Sequence, residues 1–120
     1  MTQLNEVLAM SLEDRLVLVA TKKHLGEQIY LALARDENAA VRRIVASSDM
    51  VAYPVTVADL LAFDENEKVR VAIAHRRMSE HAVAHLANDP SRAVRCAVLA
   101  CPTLSMDDAE RIVFELADVL

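Results

Sequence analysis

The sequence predicts an all-α protein built from stacked pairs of short helices. Its 120 residues are 54% hydrophobic but include only one Gly and three Pro, too few turn residues for an all-β fold. An eleven-residue phrase occurs three times, as DENAAVRRIVA from Asp36, DENEKVRVAIA from Asp64 and DPSRAVRCAVL from Asp89. Repetition at a period of about 20 to 50 residues is typical of solenoids, in which helix pairs bury their apolar faces only by stacking on one another.

The three phrases share a wider frame, L-A-x-D-x-x-x-x-V-R, which predicts where one helix ends and the next begins. Asp is a preferred N-cap, so each repeated Asp is expected to start a short second helix. Pro90 would then occupy the first helical position, and Glu67 would form a capping box with Asp64. These second helices are expected at about 37–47, 65–75 and 90–100.

Serine residues predict the starts of other helices, with Ser11, Ser79 and Ser105 as N-caps. The extra residues between Ala46 and Pro54 indicate a longer loop that contains DMVAY. The chain is therefore expected to form one domain over residues 1–120. Its predicted parts are an N-terminal cap region with a degenerate first repeat at 1–25, repeats at 26–50, 51–77 and 78–101, and a C-terminal helix at 102–120.

With their flanking residues, the phrases read LARDENAAVRRIVA, LAFDENEKVRVAIA and LANDPSRAVRCAVLACP. Over about residues 28–117 they resemble the leucine-rich-repeat variant family, within the HEAT-like repeats. This resemblance implies a right-handed α-solenoid of about four short helix-pair repeats. It also implies a hydrogen-bonded ladder between repeats, made by an Asp and an Arg six residues apart, a pattern that Asp36/Arg42, Asp64/Arg70 and Asp89/Arg95 match.

The chain departs from the family pattern in its spacing and in its turns. The first two phrases are 28 residues apart, and only the third has the typical Asp-Pro. Some family members carry an iron–sulfur cluster on a separate cysteine-rich segment, and this sequence has no such segment. No cofactor is therefore predicted.

Composition argues against membrane and secreted classes. No apolar run approaches eighteen residues, and the N-terminus lacks the basic start of a signal peptide. Cys96 and Cys101 give no disulfide framework, so they are expected to be buried thiols in a reducing compartment. The predicted location is the cytoplasm.

The sequence predicts neither an enzyme nor a metal protein. One glycine excludes a phosphate-cradling glycine-rich loop, and no nucleophile elbow occurs. His81 and His85 are four residues apart and share a helix face, but zinc sites normally need further protein ligands. A metal site would be complete only if the fold placed His75, Cys96 or Cys101 beside these two histidines.

The best sequence-level hypothesis is binding of another protein through residues that differ between repeats. Structural demands act on every repeat alike, so exposed differences at equivalent positions indicate recognition. The candidate partner-binding residues are Arg43, Lys68, His75, Arg76, Arg77 and Arg92. Scattered surface charge is the simpler interpretation of the same residues.

Nucleic-acid backbone binding through residues 68–95 is the alternative function. That stretch has six basic and two acidic side chains, a local charge of +4, whereas residues 105–120 have a local charge of −4. The net charge of −5 and the four aromatic residues count against this alternative.

The C-terminal helix is apolar on more than one side, which predicts either a covered face or a frayed end. One apolar face is formed by Met106, Ala109, Val113, Leu116 and Leu120. Three more apolar residues widen this face: Ile112, Phe114 and Val119. Because the terminal repeat of a solenoid needs a polar outer face, a homodimer through this helix is a possible arrangement.

Overall fold

A computed structural model of the protein describes residues 3–21, 25–48 and 53–117. These residues form α-helices and, within the described ranges, no β-strand. The all-α prediction is confirmed. In chain order the helices are α1 Leu4–Leu8, α2 Leu12–Thr21, α3 Glu27–Ala34, α4 Ala39–Ala46, α5 Val55–Ala62, α6 Glu67–Ile73, α7 Glu80–Ala87, α8 Arg92–Val98 and α9 Met106–Ala117.

The helices form two rows. The odd-numbered helices contact one another in chain order from α1 to α9, and we call them the odd row. The even-numbered helices from α2 to α8 do the same and form the even row. Helices α3, α5 and α7 each contact the even helix that follows them, so the two rows pack face to face.

The core lies between the rows and is built from the repeated positions of the sequence frame. The frame leucines are the penultimate residues of α3, α5 and α7 and are almost fully buried: Leu33, Leu61 and Leu86. The frame valines of the even helices, Val41, Val69 and Val94, are completely buried. Burial of each such side chain is worth about 1.5–3 kcal/mol, so the repeated frame supplies much of the core.

The even helices begin two residues later than the sequence predicts. Their N-caps are Asn38, Asn66 and Ser91, whose side-chain oxygens accept hydrogen bonds from backbone amides of the first turn. The expectation that Asp36, Asp64 and Asp89 are the N-caps is therefore wrong. Each Asp instead accepts from the amide of the cap residue two positions on, at 2.9 Å.

The predicted roles of Pro90 and Glu67 change with this shift. Pro90 lies before the cap Ser91, outside helix α8. Glu67 is the first residue of α6, and its Oε1 accepts a 2.6 Å hydrogen bond from the Ser91 hydroxyl. The expected capping box is therefore replaced by a contact between two neighbouring repeats.

Other expectations have mixed outcomes. Ser11, Ser79 and Ser105 each accept a hydrogen bond from the backbone amide three residues on, at 3.1–3.2 Å, as predicted for N-caps.

Cys101 is buried, but Cys96 is exposed, so the expectation of two buried thiols is wrong. Residues 49–52 of the predicted loop lie outside the described ranges.

No helix among the described residues is long and apolar enough to cross a membrane.

Candidate interaction surfaces

Arginine–aspartate pairs connect consecutive helix pairs, and we call them the Arg–Asp ladder. Each arginine binds the Asp of the next repeat through two guanidinium nitrogens. The Nε–Oδ2 distances are 2.6 Å for Arg15–Asp36, 2.7 Å for Arg42–Asp64 and 2.8 Å for Arg70–Asp89. The Nη2–Oδ1 distances in the same pairs are 3.4, 3.2 and 3.3 Å.

Within one repeat, the Arg six residues after the Asp binds a backbone carbonyl of that turn. Arg42 Nη1 donates to Asp36 O at 2.7 Å, and Arg70 Nη1 donates to Asp64 O at 2.8 Å. Each Arg therefore holds its own turn through the carbonyl and the next turn through the carboxylate. This geometry fixes the register of neighbouring helix pairs.

Arg15 is a ladder residue that the repeated frame does not predict. Its Nη1 donates to Met10 O at 2.7 Å, the same arrangement that later arginines make in their own turns. Leu8-Ala9 matches the start of the frame and is the sequence signal for this residue. Ser11, however, stands at the Asp position, and Arg15 follows it after four residues instead of six.

Arg95 is the last arginine of the ladder and binds no carboxylate among the described residues. Its Nη1 donates to Asp89 O at 2.7 Å, like its counterparts. Its Nε is buried and has no hydrogen-bond partner in the described part of the chain. The ladder therefore contains four arginines and three aspartates over the described ranges.

The candidate partner-binding residues divide into an exposed set and one half-buried residue, Arg76. Four of them lie along the even helices or just beyond their ends: Arg43, Lys68, His75 and Arg92. Arg77 is also exposed, in the segment between α6 and α7. The exposed side of the even row therefore carries most of the predicted set.

Arg76 is half-buried and makes contacts within the fold, unlike the exposed members of the predicted set. Its guanidinium lies 4.3 Å from the ring centroid of Tyr53, and its Nη2 donates to Ser48 O. Its own carbonyl accepts from Cys101 Sγ at 3.1 Å. Arg76 thus connects the end of α4, the start of α5 and the end of α8.

Tyr53 forms the other half of this junction. Its hydroxyl donates to Val45 O at 2.7 Å, and burial raises the pKa of Tyr53 above its ordinary value of 10.0. The phenol is therefore a neutral donor, and its ring is held where Arg76 can stack on it. No local sequence pattern predicts this contact, because its partners are far apart in the chain.

The pKa of His75 is lowered from its ordinary value of 6.5, chiefly by partial burial and further by the charge of Arg76. The unfolded chain therefore binds this proton at higher pH than the folded chain does. We expect His75 to reduce folded stability as the pH falls below about 6.5. An NMR titration of its imidazole should give a midpoint below 6.5, and His75→Asn should flatten the acid side of the stability curve. A midpoint at or above 6.5 would contradict the prediction.

His81 and His85 lie on α7 and stack on the ring of Phe63. The centroid distances from Phe63 are 5.5 Å to His81 and 4.2 Å to His85. Among the described residues, no three His, Cys, Asp or Glu side chains are grouped so that they could hold a metal ion. The histidines therefore form, with Phe63, a small aromatic cluster on the odd row.

Helix α9 presents an apolar strip to solvent. Ile112 is its buried residue, whereas Met106, Val113 and Phe114 are exposed by 73%, 54% and 71%. On its flank, Arg111 pairs with Asp108 at 3.3 Å and Glu115 at 3.2 Å. The hydrogen bond to Glu115 is the main cause that raises the pKa of Arg111.

The basic stretch 68–95 is less available than its composition indicates. Arg70 is bound to Asp89, Arg76 lies on Tyr53, and Arg95 donates to a carbonyl. The exposed cations that remain are Lys68, Arg77 and Arg92.

Comparisons with known protein families, with curated proteins and with solved structures find no match to this chain.

Proposed function

We propose that this protein is an α-solenoid of the HEAT-like, leucine-rich-repeat-variant type that binds another protein through the exposed side of its even row. The two rows of helices and the Arg–Asp ladder support the solenoid assignment, since both repeat with the sequence frame. A scaffold held in register by buried ion pairs presents its surface with little loss of conformational entropy on binding.

One observation carries the proposal: equivalent outward positions of the even row differ in chemistry from repeat to repeat. In the frame, Arg43 corresponds to Val71 and Cys96, and Lys68 corresponds to Ala40 and Ala93. Five of these six side chains are exposed, namely Arg43, Cys96, Lys68, Ala40 and Ala93. Val71 is half-buried. Residues that maintain the stack do not vary in this way, so these differences are available for recognition.

The charge of this surface favours an acidic partner surface. Arg43, Lys68 and Arg92 are exposed there, and Arg77 adds a fourth cation at the loop after α6. Such charges at the rim of an interface mainly raise the association rate and select the partner. Within the described part of this side, the cations are few and no stacking aromatic is exposed, which gives less support to the nucleic-acid alternative.

A pull-down from native lysate at two salt concentrations, with and without nuclease, tests the proposal. The test variant carries Arg43→Ala, Lys68→Ala, Arg77→Ala and Arg92→Ala, and it leaves Arg76 intact because that residue supports the fold. We expect wild type to retain a specific protein that is insensitive to nuclease, and the variant to lose it.

The matched control carries Gln3→Glu, Gln28→Glu and Arg35→Glu. These residues are exposed outside the even row, and together they shift the net charge by the same amount as the test variant. Retention of the partner by this control assigns binding to the surface and not to net charge. Recovery of nucleic acid, with steep salt dependence, would replace the proposal by the alternative.

A further inference from the structure

The helices α4, α6 and α8 share one outward side, because they begin at equivalent N-caps. Counted from the caps Asn38, Asn66 and Ser91, the third and seventh residues of these helices are completely buried in the core. The second, fifth and ninth residues lie on the opposite side of each helix. We call these nine residues the outward face: Ala40, Arg43, Ser47, Lys68, Val71, His75, Ala93, Cys96 and Ala100. All are exposed except Val71, which is half-buried.

The outward face contains no acidic side chain, although the protein has a net charge of −5. Its permanently charged residues are Arg43 on α4 and Lys68 on α6. Neither of them forms an ion pair with another described residue. The acidic residue of α6 lies off this face, since Glu67 accepts from the Ser91 hydroxyl of the next repeat. Two cations without counter-charges therefore favour an anionic ligand on the outward face.

Arg43 and Lys68 lie on neighbouring helices, at a spacing that a single peptide can match. Helices α4 and α6 contact each other, and the axes of packed helices are about 8–10 Å apart. Arg43 is the fifth residue after its cap and Lys68 is the second, so they differ by about 4.5 Å along the helix axes. The two displacements together separate their α-carbons by about 10 Å.

We propose that the outward face binds an extended acidic segment whose carboxylates, three residues apart, pair with Arg43 and Lys68. This inference rests on the proposed function and names the chemistry of the partner. A polyproline II segment has three residues per turn and rises about 3.1 Å per residue, so residues i and i+3 share one side and are about 9.3 Å apart. A β-strand points residues i and i+3 to opposite sides, so it does not present both carboxylates.

The absence of apolar anchors on the outward face argues against a helical ligand. An amphipathic helix docks by placing apolar side chains in a hydrophobic groove. Within the described part of the chain, none of the exposed large apolar side chains belongs to α4, α6 or α8. Small residues such as Ala40 and Ala93 instead let an extended backbone approach closely. A polyproline II segment is already extended and loses little entropy on binding.

Fluorescence anisotropy with a labelled peptide tests the proposal. The probe peptide consists of Pro and Ala with Glu at every third position, and the control peptide has the same composition with its glutamates consecutive. We expect wild type at low salt to bind the probe about two- to fivefold more tightly than the control, because only the probe matches the spacing of the two cations. Equal affinities for the two peptides, or no binding of the probe, would overturn the proposal.

Substitutions test the pairing itself. Arg43→Ala and Lys68→Ala should each weaken binding of the probe by about two- to fivefold, since each removes one exposed charge pair. Arg35→Ala changes an exposed cation outside the outward face and should have no effect. The double variant Arg43→Glu with Lys68→Glu should bind a lysine version of the probe and not the glutamate version. A folded double variant that still prefers the glutamate probe overturns the pairing, and if it fails to fold, the two alanine variants decide.

The proposed function and this inference fail in distinguishable ways. If the probe does not bind but the pull-down recovers a protein through the even row, the partner is not an extended acidic segment and only this inference is overturned. If the probe binds as expected but the pull-down recovers no protein, the result counts against the proposed function alone. A single-stranded oligonucleotide that displaces the probe at equal or lower concentration would show that the outward face binds phosphates, and would overturn the assignment to a peptide.

Discussion

Replacing Asp64 with alanine is expected to lower the free energy of unfolding by about 3–5 kcal/mol, because it leaves the buried guanidinium of Arg42 without its carboxylate. The two side chains are 7% and 10% exposed and are joined by bonds of 2.7 and 3.2 Å. Asp64 also accepts from the amide of Asn66, so the variant loosens the turn before α6. Urea unfolding followed by far-UV circular dichroism measures the loss.

Glu65→Ala is the matched control for this prediction. Its carboxylate lies 3.9 Å from Arg42 Nη2, but its side chain is 92% exposed, so its removal should cost less than about 1 kcal/mol. The double variant Arg42→Met with Asp64→Leu should recover most of the stability, because it removes both charges together. A cost below about 1 kcal/mol for Asp64→Ala would show that the ladder is not a main stabilising feature.

The ladder also shows how far the sequence could predict this fold. Apolar periodicity and the recurring Leu-Ala and Val positions were sufficient for the helix pairs, because burial acts on each repeat alike. The role of Asp was harder, since one carboxylate can cap a helix or accept from a guanidinium. In the structure Asp36 does the second and leaves capping to Asn38, two residues on. Because Asp36 accepts from the guanidinium and Asn38 caps the helix, α4 begins two residues later than predicted.

The candidate surface was predictable only in part, because exposure depends on contacts between distant segments. Arg76 and Arg77 are adjacent in the sequence and equally charged, yet Arg76 lies on Tyr53 and Arg77 is exposed. The residues that flank Arg76 and Arg77 in the sequence do not indicate which of the two is exposed. Arg15 was missed for a related reason: the frame around it is two residues shorter, although its guanidinium makes the same bonds as the other ladder arginines.

Replacing Ile112 with alanine is the second change for which we expect a large effect, a loss of about 2–5 kcal/mol in the free energy of unfolding. Ile112 is completely buried and is the buried residue of α9 within the described range, so it anchors this helix to the stack. Arg111 adds a single 3.3 Å bond to Ala87 O. The cavity left by alanine should therefore destabilise α9 more than any other helix.

Hydrogen exchange can separate this local effect from a global one. In Ile112→Ala, the amides of α9 should exchange much faster than those of α5 and α6, which are packed between neighbours on both sides. Val113→Ala is the control, since a side chain 54% exposed in the same turn should cost well under 1 kcal/mol in the monomer. Uniformly faster exchange in all helices of Ile112→Ala would mean that α9 unfolds with the whole stack. Faster exchange confined to α9 would mean that Ile112 is the main side chain that holds this helix against its neighbours.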